Sequence, residues 1–153
     1  MKILTLIALF TLLLMSSCAT ATFAPTENDR AWMNMVVQDS KVVVSDMQLV
    51  SFASENVDMS GVKTYSDLLT VDLKNELENS QSYTVSSELQ ESKGYWEMAL
   101  DSIKTGSEEV SMSVASNNLA LISHGSGLIK KGTEYMMLAN RALNTMVAST
   151  SGS

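Results

Sequence analysis

The chain has 153 residues, with 17 acidic and 10 basic side chains, one histidine and one cysteine, for a net charge of −7. That balance argues against nucleic acid and anionic lipid surfaces as partners. A single cysteine allows no internal disulfide or thiolate metal cluster, so one core, for which the length suffices, must hold the fold by packing.

Met1 and Lys2 make a short basic start, and Ile3 to Met15 then run without charge or helix breaker. That apolar run is shorter than the roughly 20 residues of a membrane-spanning helix, so residues 1–21 read as an export signal. Two cleavage readings compete. Met15-Ser16-Ser17-Cys18 resembles a lipobox, which makes Cys18 a lipidation site and leaves residues 19–26 as a tether on the outer face of the cell membrane. Ala19-Thr20-Ala21 instead offers small residues to ordinary signal peptidase, which discards Cys18 and frees the protein. An uncleaved anchor is the third possibility. Once the signal is removed the charge is near −8 and is uneven, with 16 acids and 6 bases in residues 19–110 and one acid against three bases beyond.

Residues 27–149 read as one domain. One proline, at Pro25, and seven glycines favour helices over sheets. Thr26 or Asn28 caps helix A, 27–55, whose apolar stripe runs through Trp32, Val36, Val43, Met47 and Val50. A turn at 56–61, with Ser60 as a candidate cap, leads to helix B, 61–81. There Val62, Tyr65, Leu69, Leu73 and Leu77 form the stripe, and Asp67, Lys74, Glu76 and Glu78 lie mostly off it. Ser87-Glu88-Leu89-Gln90 has the form of a capping box. A heptad seam then runs from Leu89 through Trp96, Ile103, Val110, Asn117, His124, Lys131 and Leu138. Its phase meets His124-Gly125-Ser126-Gly127, where two glycines cost a helix about 2 kcal/mol against alanine. The expectation is therefore helix C over 87–123 and helix D over 126–148, or one long kinked helix. Ile103-Lys104-Thr105-Gly106-Ser107-Glu108 returns 26 residues later as Ile129-Lys130-Lys131-Gly132-Thr133-Glu134. Glycine at such a place lets another helix backbone approach closely, and two copies reflect shared packing needs rather than a solenoid.

The stretch from Tyr83-Thr84-Val85-Ser86-Ser87-Glu88-Leu89-Gln90 to Tyr95-Trp96-Glu97-Met98-Ala99-Leu100 resembles uncharacterised exported proteins of methanogenic archaea. Ile129 and Gly132, followed by Tyr135 and Ala139, are similar too. The resemblance lies within residues 83–142. It implies an exported or anchored helical bundle, and neither an activity nor functional residues.

Catalytic constellations are missing from the inventory. His124 has no glycine-flanked serine elbow or cysteine nucleophile to serve. Asp39, Asp46, Asp67, Asp72 and Asp101 are carboxylates of the kind an acidic helical surface supplies by default. A di-metal carboxylate centre needs two Glu-x-x-His motifs, which one histidine cannot give. Met33-x-Met35 and Met136-Met137 imitate copper ligand pairs, and Met33 or Met35 with His124 imitates a haem pair. Methionine as core filler and histidine at a helix end are the simpler readings. Asn117 on the seam is expected to set register.

The sequence thus predicts an all-α antiparallel bundle of four helices, or three with one kinked, without cofactor or metal. The functional expectation is a non-enzymatic exported envelope protein, held to the membrane through Cys18, that meets an envelope protein partner. The alternative is a small-ligand or sensory bundle with a pocket near Ser107, Asn117 and His124.

Overall fold

The computed structural model describes residues 24–151. The export signal and Cys18 lie outside them. Four helices follow: α1 (Glu27–Glu55), α2 (Met59–Ser82), α3 (Gln90–Ser116) and α4 (Leu119–Ser151), with a short 3-10 turn at Ser87–Leu89. No strand occurs among the described residues. The fold is an all-α helical bundle.

Each boundary has a local cause. At α1 the Asp29 amide donates to Thr26 Oγ1 at 3.1 Å, and the Thr26 amide donates to Asp29 Oδ2 at 2.8 Å, a reciprocal capping box. At α2 the cap is Asp58, which accepts from the Gly61 amide at 2.9 Å, and Ser60 lies inside the helix. The expected box at Ser87 does not form. Its hydroxyl donates to Glu88 at 3.0 Å, while Gln90 donates to the Val85 carbonyl at 2.9 Å. The 3-10 turn takes up those residues, so α3 starts three positions later than expected.

Contacts between neighbouring helices run in opposite directions, as an antiparallel arrangement requires. From α1 to α2, Trp32 Nε1 donates to Ser80 Oγ at 3.3 Å, and Ala53 at the other end of α1 packs with Val62. From α2 to α3, Ser80 donates to Glu97 at 3.1 Å, and Ser111 donates to Asp67 at 2.5 Å. From α3 to α4, Ser92 donates to the Ala139 carbonyl at 2.9 Å, and Glu109 pairs with His124 at 2.5 Å. The most extensive contact is between α3 and α4. Trp32, Val36, Val43, Leu69, Leu73, Leu89, Trp96, Leu100 and Ile103 are buried together, and Met136 and Ala139 of α4 close the same core.

The break in the second half falls earlier than the glycines suggest. α3 ends at Ser116, and Asn117 turns the chain with φ 53° and ψ 39°, in the left-handed region that asparagine tolerates. The Asn118 amide bonds the Ser113 carbonyl at 3.0 Å, which completes a Schellman closure. Asn117 is exposed and sets no register. The turn also shifts the seam by one residue. Beyond it the buried positions among the described residues are Gly125, Gly132, Met136 and Ala139, not His124, Lys131, Tyr135 and Leu138.

Residues 124–127 are helical, and their glycines have separate roles. A Cβ on Gly125 would stand 2.6 Å from the Gly106 carbonyl oxygen, and one on Gly106 would stand 2.5 Å from the Gly125 carbonyl oxygen. The two helix backbones therefore meet at paired glycines. Gly132 extends this contact one heptad along α4, against Ile103 and the Ala99 carbonyl. The glycines of the internal repeat thus both serve the α3–α4 contact. Gly127 faces open space.

Candidate functional site

The most unusual chemistry lies between α1 and α2. Val36 and Val43 bring α1 to the core, and Leu69 and Leu73 do the same for α2. Three residues beyond each stands an acid: Asp39, Asp46, Asp72 and Glu76. Three residues is almost one helical turn, so all four carboxyl groups fall on a flank of the core stripe. Asp46 and Glu76 are each only 8% exposed. Asp39 Oδ2, Asp46 Oδ2 and Glu76 Oε2 are enclosed with no hydrogen-bond partner in the chain.

Burial of a carboxylate disfavours its charge, and neighbouring carboxylates add to the effect. Burial is the first cause at Glu76, followed by the charges of Asp39, Asp72 and Asp46, and together they push its pKa up to about 8. Asp46 is raised by burial, then by the charge of Asp72 and a hydrogen bond with it. Asp39 is raised by burial. A cluster of this kind retains protons in the folded chain, and a carboxyl group that keeps its proton can donate to a neighbouring carboxylate.

Asp29 and Asp67 behave differently. Burial at Asp29 works against ionisation, but donors from the Ser86 amide and from the Thr26 amide and hydroxyl overcome it and lower the pKa. Asp67 is lowered by hydrogen bonds from Lys63 and then Ser111. The expectation that the acids belong to the helical surface is therefore corrected for Asp29, Asp46 and Glu76, all of them buried. Glu76 also lies at the helix interface rather than off the stripe. The signal that could have found the cluster is the repeated three-residue offset from core positions on two successive helices.

Other predicted groups do not gather. His124 is exposed and pairs with Glu109 across α3 and α4. Met35 and Met136 are buried in the core, Met33 packs against its edge, and Met137 faces solvent. No three His, Cys, Asp or Glu side chains among the described residues are placed to hold a metal ion. Ser107 is buried, whereas Asn117 and His124 are exposed, so the three share no pocket. The hollow at His124 is an open depression lined by Ala120, Ser123, Gly127 and Leu128 of the same helix.

A further feature is the α1–α2 turn. Val57 has φ 57°, in the left-handed region that a β-branched residue avoids, and it is 75% exposed. Phe52, 66% exposed, and Met59 stand beside it. No helix among the described residues is long and apolar enough to cross a membrane. No protein family, no curated protein and no solved structure matches the chain.

Proposed function

We propose that the protein is a non-enzymatic, exported interaction module, held at the outer face of the cell membrane by lipid on Cys18, with the α1–α2 turn offered to an envelope protein partner. The observation that carries this reading is the turn itself. Phe52, Val57 and Met59 are large apolar side chains turned to solvent at one end of the bundle. An apolar tip built around a strained backbone position fits a surface kept for contact rather than for stability. The small residues of Met15-Ser16-Ser17-Cys18 after an apolar run support the anchor and the compartment.

The test uses fractionated cells of a producing organism. Wild-type chain sediments with membranes and carries a blocked, heavier N-terminus by intact mass, whereas Cys18→Ser is released or stays unprocessed. A photo-crosslinker at Phe52 gives one discrete adduct, and the same label at exposed Lys130 gives none. An unmodified chain starting at Thr22 contradicts the anchor. Equal labelling from both positions contradicts the contact surface.

A further inference from the structure

We infer that the carboxyl groups of Asp39, Asp46 and Glu76, which meet between α1 and α2 with Asp72 beside them, form a proton-operated latch, closed onto α2 while they hold protons and releasing α1 when they ionise. The inference concerns the fold itself and does not depend on the anchor or the partner.

Three observations carry it. First, the groups come from both sides of one interface: Asp39 and Asp46 from α1, Asp72 and Glu76 from α2. Second, two of them are nine-tenths buried, and each has an oxygen with no partner in the chain. Third, no base offsets them. The charges acting on Glu76 are Asp39, Asp72 and Asp46 alone. On α3, the other neighbour of α2, Lys93 is engaged by Glu97 and Lys104 by Asp101. On α2 itself, Lys63 is engaged by Asp67 and Lys74 by Glu78, and on α1 Arg30 and Lys41 are exposed to solvent.

Ionising a second and third carboxyl in that space puts like charges together in a low-dielectric seam, which favours separation of the helices and entry of water. α1 is the helix free to respond. It packs mainly on α2, whereas α2 is also held by α3, and α3 by α4. The end of α1 near Trp32 and Asp29 keeps its bonds to Ser80 and Ser86, so release begins at the Asp39–Asp46 stretch.

Hydrogen exchange of the purified full chain, corrected for the intrinsic chemical rate, tests the latch. Between about pH 6 and about pH 9, α1 amides should lose protection by tenfold or more, while α3 and α4 change by less than about twofold. Glu76→Gln mimics the protonated group and should remove most of the loss. If that variant does not fold by circular dichroism, Asp46→Asn takes its place, with a partial reduction expected. Unchanged α1 protection in the wild type overturns the latch. Equal loss in all four helices, or full loss in both variants, does so too.

Discussion

Both terminal hairpins turn with the same backbone device, a left-handed residue after the first helix and a bond from the following amide back five residues, yet α1–α2 places Val57 there and α3–α4 places Asn117. Their interfaces differ in the same sense. α3 and α4 meet through Gly106 and Gly125, with backbones in contact and Ile103 packed against Gly132. α1 and α2 meet through core valines and leucines on one flank and four carboxyl groups on the other. The glycine contact itself has no titratable part, and the one charged pair that bridges α3 and α4 among the described residues, Glu109 with His124, lies at an exposed histidine. The buried carboxyl groups of Asp39, Asp46 and Glu76 favour the folded pairing while they hold their protons. One hairpin is thus a fixed platform, and the other is conditional.

The contrast can be broken at the platform. Gly132→Val would drive a branched side chain into Ile103 and the Ala99 carbonyl, and we expect a loss of roughly 3 kcal/mol in chemical denaturation. On the conditional side, Asp29→Ala removes the acceptor for the Thr26 and Ser86 amides, which breaks the returning half of the α1 capping box, for a loss of about 2 kcal/mol at neutral pH. Two changes should stabilise. Val57→Gly relieves the left-handed strain, and the extra chain entropy of glycine leaves a net gain of about 1 kcal/mol in thermal melts. Gly127→Ala, at a glycine with no neighbour to meet, should gain roughly 0.5 kcal/mol. A loss at Gly127 would mean that the α3–α4 contact extends further than Gly106, Gly125 and Gly132.

The helices were legible because their signals are local. Trp32, Val36 and Val43 recur at helical spacing, and the α1 limits of Glu27 and Glu55 follow from Thr26 at one end and a polar turn at the other. The α3–α4 boundary was not legible, because glycine weakens a helix in isolation but is required where two backbones touch. Gly125 obeys the second rule, and an asparagine pair supplied the turn instead. The carboxyl cluster was hidden for a similar reason. Each acid alone resembles a solvated residue beside an apolar stripe, and only the pairing of α1 with α2 places Asp39 and Asp46 against Asp72 and Glu76.

The pH dependence of stability follows from these groups with opposing signs. Glu76 keeps its proton to about pH 8 when folded, against an ordinary value of 4.5, so the folded chain binds more protons between those limits. Its stabilising share is complete below the lower limit and is lost as pH rises through the upper one. Asp39 and Asp46 are raised and act in the same direction. Asp29 and Asp67 are lowered, so their share is lost as pH falls instead. Stability should therefore peak in mildly acidic solution. The most direct measurement is the urea midpoint of the wild type and Glu76→Gln from about pH 5 to about pH 9. The account predicts nearly equal midpoints at the acidic end, a steep fall for the wild type toward alkaline pH, and a much shallower one for the variant. Parallel curves, or a wild-type midpoint that holds steady through about pH 8, would contradict it.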